Sequence, residues 1–307
     1  MIERALSKRT MRRKRPRLQQ VRTANTGVEL SYRDWGGNGP PMLSLHGLGS
    51  THHIWDLAAP LLSERFHVVA YDQRGHGFSE KPSSGYDLDT MLADLRGLVE
   101  ALGLGRVFVM GHSWGGSIAL AYAGRYADEC AGIALVDGGL VQIQDIPGID
   151  TWETMSELMA PSDLSPFKLA DLAKKTRNRG LDTLPRHFIA KFLRATIEEQ
   201  PNGALANRLS RDSHMLILRT IWETRPEDLL RGVQCPALIV TALPEARTPQ
   251  QESYNTAKLL GVARAERYLT NHKSVIMPDT IHDVPLHRPA ELAKEILDYF
   301  APEDGDT

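Results

Sequence analysis

Cysteine is scarce: Cys130 and Cys235 are the only two in 307 residues. That excludes a disulfide framework, and both read as reduced residues in or near the core. No apolar run approaches the roughly 18 residues a membrane helix needs, so no membrane partner is expected. The basic N-terminal stretch has no apolar segment of the secretory type, and a cytoplasmic location is the expectation. Eleven histidines are present, yet none shows H-E-x-x-H or Cys-rich spacing, so neither a metal site nor another cofactor is expected. Internal repeats are absent, as is any low-complexity tract outside the basic N-terminus.

What is present is an ordinary water-facing composition, 42% hydrophobic and 24% charged. The length suits one large α/β domain carrying an insertion. Charge is uneven. Residues 1–22 hold nine Lys or Arg and one Glu, so the rest of the chain must sit near −10 to give the net −2. This stretch is read as a solvated, unordered tail rather than a nucleic-acid arm.

Apolar strands and amphipathic helices alternate from Val28 to Gly139: strands at 28–33, 67–72, 106–111 and 132–137, helices at 88–103 and 116–128. Alternation at this spacing predicts a mostly parallel sheet with helices on both faces. From 140 to 232 the strands stop, and 151–159, 168–178, 185–199 and 213–223 read as helices. The sheet resumes at Val233. The expected organisation is therefore a core of 23–139 and 233–307, with an all-helical cap at 140–232.

Gly111-His112-Ser113-Trp114-Gly115 lies between the strand ending at Met110 and the helix opening at Gly116. A G-x-S-x-G in that setting is a nucleophile elbow, a turn so tight that its serine adopts a strained backbone and projects its hydroxyl from the sheet edge.

From about Val28 onward the chain resembles the α/β-hydrolase family, and the resemblance implies an eight-stranded sheet with the cap between its sixth and seventh strands. Leu45-His46-Gly47-Leu48 looks like the family's oxyanion segment, which implies the amides of Leu48 and Trp114 as oxyanion donors. Tyr71-Asp72-Gln73-Arg74-Gly75-His76-Gly77-Phe78-Ser79 is similar to an architectural loop of the family, in which Asp72 and Arg74 are expected to pair. His282, in the loop after the last strand, looks like the family's catalytic base.

Two carboxylates compete to orient that base. The family's usual register, after the seventh strand, falls on Glu245, but the glycine and acidic residue expected before it are replaced by Ala242-Leu243-Pro244. Asp137, at the end of the sixth strand, is the other choice and the preferred one.

The resemblance thus implies a serine hydrolase for small to medium carboxylic esters or lactones, with Trp152, Met155, Met159, Leu216 and Trp222 as pocket candidates on the cap. A serine at the elbow counts against epoxide hydrolases and haloalkane dehalogenases, which place Asp there. A carbon–carbon bond hydrolase, an aminopeptidase and a ligand-binding receptor of the same fold stay open.

Overall fold

The computed structural model describes residues 16–301. Strands β1 (Leu18–Arg22), β2 (Glu29–Gly36) and β3 (Pro41–Leu45) are followed by a 3-10 turn at His52–Trp55 and helix α1 (Ala59–Leu62). Next come β4 (His67–Tyr71), α2 (Leu88–Ala101), β5 (Val107–His112), α3 (Trp114–Arg125) and β6 (Cys130–Val136). An insertion carries α4 (Trp152–Leu158), α5 (Leu169–Thr176), α6 (Arg186–Thr196), β7 (Ile197–Glu199), β8 (Leu205–Asn207), α7 (Arg211–Glu223) and α8 (Pro226–Leu230). The chain returns through β9 (Ala237–Leu243), α9 (Pro249–Tyr268), β10 (His272–Pro278), α10 (Val284–His287) and α11 (Pro289–Phe300).

Eight of these strands form one sheet in the spatial order β1-β2-β4-β3-β5-β6-β9-β10. The β1–β2 and β2–β4 pairings are antiparallel and the rest parallel. Parallel strands covered on both faces must be apolar on both, and β5 shows it. Val107 and Val109 join Leu43, Leu45 and Leu135 in the core under α2 and α3. Met110 faces the opposite core with Val68, Val136 and Val240, closed by Leu292 and Ile296 of α11. Because α3 leaves β5 through Ser113, that serine stands at the C-terminal edge of a central strand, where open α/β sheets place their ligands.

Three expectations are corrected. First, the tail read as unordered through residue 22 ends sooner. Leu18–Arg22 pairs with β2 in register Leu18↔Arg33 to Arg22↔Glu29, while residues 1–15 lie outside the described residues. Gln20 Nε2 donates to Ser31 Oγ, and Val21 packs on the core, so a basic composition hid a mostly exposed edge strand. Removing residues 1–22 is accordingly expected to cost about 2–3 kcal/mol, several degrees in thermal midpoint, with kcat unchanged. An unaltered melting curve of the truncated chain would show that β1 adds nothing.

Second, the insertion is not all helical. The helix expected over 185–199 stops at Thr196, and Ile197–Glu199 pairs antiparallel with Leu205–Asn207. Pro201-Asn202-Gly203 makes the turn, with Gly203 at φ +80°, a hairpin signal that helical periodicity masked. Third, Asp72 and Arg74 do not pair. Arg74 forks onto both carboxylate oxygens of Asp94 on α2, while Asp72 accepts from the backbone N–H and ring Nδ1 of His52, both at 2.8 Å.

Among the described residues, no helix is long and apolar enough to cross a membrane. Cys130 and Cys235 are free thiols, buried with their sulfurs 3.7 Å apart.

Candidate active site

Ser113 caps α3 with φ +54° and ψ −121°, a left-handed conformation that costs a non-glycine residue of order 1–3 kcal/mol. Close packing enforces it: a Cβ on Gly111 would stand 2.1 Å from the Gly115 carbonyl oxygen. Strand and helix therefore approach more closely there than any side chain allows.

The segment His46–Gly49 runs beside the serine. A Cβ on Gly47 would come within 2.8 Å of Ser113 Cβ, so glycine admits the serine at this point. Two neutral histidines hold the segment. His46 Nδ1–H donates to Gly47 O at 2.7 Å, and its Nε2 accepts the Gln73 backbone N–H at 3.0 Å. His76 Nδ1–H donates to Arg74 O, and its Nε2 accepts the Gly49 N–H at 3.2 Å. Burial disfavours the charged ring in both, lowering His46 to about 4 and His76 to about 3. As neutral rings each keeps one acceptor nitrogen, which these bonds require. Leu48 thus sits in a loop fixed from both sides, and Trp114, the first residue of α3, has one of the amides that a helix leaves without an internal partner.

His282 lies in the loop between β10 and α10. Its Nδ1–H donates to Asp137 Oδ2 at 2.6 Å, and its side chain is 43% exposed against 1% for Asp137. Asp137 follows β6 at φ +46°, a conformation that Asp tolerates better than most. Its Oδ1 accepts the Ala242 N–H at 3.0 Å, and its Oδ2 also accepts from Lys258 Nζ at 2.7 Å. Burial opposes the charge on Asp137, but the bonds from His282 and Lys258 outweigh it and hold the carboxyl below the usual carboxylate range. Among the described residues no hydrogen bond joins Ser113 Oγ to the His282 ring, a contact that in such sites often tightens only with substrate.

Glu245 is elsewhere. It faces solvent, 72% exposed, against Arg247 at 3.4 Å.

The five cap candidates form no single group. Trp152 and Trp222 face each other across α4 and α7 with ring centroids 6.5 Å apart. Met155 is fully buried, whereas Met159 and Leu216 are exposed. The insertion reaches the loops around Ser113 and His282 through other residues. Gly180 packs against Ile281, next to His282, and Leu209 packs against the loop at Gly75. Lys191 of α6 bridges to Asp56 beneath the 3-10 turn at 2.9 Å.

Two site residues escaped the sequence reading. His112 was read only as part of the elbow motif, yet its Nε2–H donates to the His282 carbonyl at 2.9 Å and its ring packs 4.7 Å from the His282 ring. Lys258 lies on α9, whose buried residues are Ala257, Lys258, Gly261, Val262 and Ala265, too small or too polar to give an apolar stripe. No group of three or more His, Cys, Asp or Glu among the described residues is placed to hold a metal ion.

Comparison with known proteins agrees with this architecture. A non-heme haloperoxidase from Rhodococcus erythropolis is 28% identical over 274 residues, covering 85% of this chain and 95% of that protein. A soluble epoxide hydrolase from Corynebacterium sp. (strain C12) is 41% identical over 111 residues, 36% of this chain, and the match spans 39% of the relative's length. The crystal structure of an E-2-(acetamidomethylene)succinate hydrolase superposes with a TM-score of 0.74 at 22% identity, covering 92% of this chain and 99% of that one, a likeness of fold. The sequence profile described as the alpha/beta hydrolase fold matches residues 40–289, and the chain belongs to that family.

Proposed function

We propose that this protein is a serine hydrolase that cleaves a carboxylic ester or lactone through an acyl-enzyme on Ser113. The observation that carries this reading is the 2.6 Å bond from His282 Nδ1–H to buried Asp137, on the same sheet edge as a strained serine. With its Nδ1 proton committed to Asp137, His282 presents an unprotonated Nε2 as general base.

In the first half-reaction Ser113 Oγ attacks the carbonyl carbon as its proton passes to His282 Nε2. The amides of Leu48 and Trp114 receive the developing oxyanion, and Asp137 stabilises the imidazolium. Collapse expels the alcohol, which takes the proton from His282. Water then attacks the acyl-enzyme with His282 again as base, releasing the acid and restoring Ser113. A lactone follows the same course, its alcohol remaining tethered to the acyl group. Relatives bearing epoxide hydrolase and haloperoxidase names belong to the same fold family, and the serine at position 113 favours acyl chemistry here.

A fluorophosphonate probe should label Ser113 alone, and p-nitrophenyl esters should give a burst equal to the active-site concentration. His282→Ala should abolish labelling on the same timescale. A label mapped to another residue, or undiminished labelling of His282→Ala, would overturn the reading. Stoichiometric binding of esters with neither burst nor turnover would mark a receptor-like member instead.

A further inference from the structure

The buried lysine beside the orienting carboxylate has no role in the reaction just described. Lys258 Nζ donates to Asp137 Oδ2 at 2.7 Å and to Ala242 O at 2.9 Å, and lies 5.0 Å from the centroid of the Tyr254 ring. It is 4% exposed. Ammonium groups are rarely taken this far out of water unless paired. The carboxylate beside it adjoins a crevice walled by Leu135, Leu140, Val141, Ile239 and Val262.

We propose that Lys258 is a positioning residue, a fixed cation that keeps Asp137 ionised and aims its Oδ2 at His282. The proposal rests on the reading of Ser113, His282 and Asp137 as a triad. A carboxyl in apolar surroundings takes up a proton readily. Once neutral it no longer fixes the Nδ1–H tautomer, and Nε2 loses its capacity to accept the serine proton. Lys258 counters this at the same oxygen that meets the imidazole, Asp137 Oδ2. Its bond to Ala242 O and the Ala242 N–H bond to Oδ1 tie the carboxylate to one residue of β9 through both of its oxygens. The acid thus comes from the end of β6, while its orientation is set by the end of β9 and by α9. With two protons directed at Asp137 Oδ2 and Ala242 O, and its charge facing the Tyr254 ring, the ammonium is occupied. Lys258 acts on the reaction only through Asp137.

The experiment is a double-substitution cycle in the full chain, using Lys258→Met, Asp137→Asn and the pair, with p-nitrophenyl butyrate as substrate. Lys258→Met is expected to lower kcat about ten- to a hundredfold, in line with small misplacements of catalytic groups, and to leave KM within about twofold. In the Asp137→Asn background the same change should have no further effect on kcat, because the group it orients is already gone. An equal loss in both backgrounds, or kcat within about twofold of wild type in Lys258→Met, would overturn the proposal. If Lys258→Met does not fold, Lys258→Gln takes its place under the same criteria. Failure of both to fold assigns the lysine to stability alone and likewise overturns it. Ser113→Ala separates the two levels: full activity there removes the triad reading and the lysine's role together. Loss of activity there with an additive lysine effect removes only the latter.

Discussion

Asp137→Asn is expected to lower kcat by about four orders of magnitude, while Glu245→Gln leaves it within about twofold. The two substitutions are chemically alike, and their environments decide the difference. Asp137 is buried, receives the His282 Nδ1 proton at 2.6 Å and is held by two further bonds. An amide in its place presents an N–H where an acceptor is needed. That turns the imidazole to the wrong tautomer and leaves Lys258 without its counter-ion. Glu245 pairs with Arg247 at the surface, a pair worth about 0–1 kcal/mol at most. Steady-state kinetics on the two purified variants decides the matter, with circular dichroism to show that both are folded. A crippled Glu245→Gln beside an active Asp137→Asn would move the acid to the loop after β9.

Acidification from pH 7 to pH 5 should lower the unfolding free energy by about 4 kcal/mol through His46 and His76 alone, roughly 2 kcal/mol each. The sign follows from their depressed values. In the folded chain both rings stay neutral down to about 4 and about 3, whereas in the unfolded chain they take up protons below about 6.5. The unfolded state therefore binds more protons across this window, and stability falls as pH falls. His112, also lowered by burial, adds in the same direction. Over the same window these two rings should leave the activity of the folded chain unaltered, because each keeps the acceptor nitrogen that orders the segment at Gly47–Gly49. Urea titrations at pH 7 and pH 5 measure the effect, and His76→Gln should remove its share. A midpoint that does not move between the two pH values would mean that these rings are protonated, or solvated, within the folded protein.

The parts of this protein legible in its sequence are those whose geometry is local. The G-x-S-x-G at 111–115 could be read because strand, turn and helix follow one another within a few residues, and the turn admits few residue types. His282 could be singled out only through the family resemblance, which looks for a base in the loop after the last strand. Alternating apolar segments were enough for β2, β4, β5 and β6 and for helices α2 and α3. The sequence missed β1 because a strand lying on the sheet edge, mostly exposed, needs no apolar alternation. It missed β7 and β8 because Ile197-Glu198-Glu199 also fits the end of an amphipathic helix.

Tertiary structure decided everything that depends on which distant groups share a buried space. Asp137 and His282 stand 145 positions apart, Lys258 and Asp137 121, and His112 and the His282 carbonyl 170. Asp72 and Arg74, two positions apart, turn to different partners because a buried charge goes to the donor or acceptor that desolvates with it, whatever its distance along the chain. The choice between Asp137 and Glu245 is of the same kind. Sequence by itself supplied both carboxylates, but only folding buries one of them beside an imidazole and a lysine and leaves the other in water.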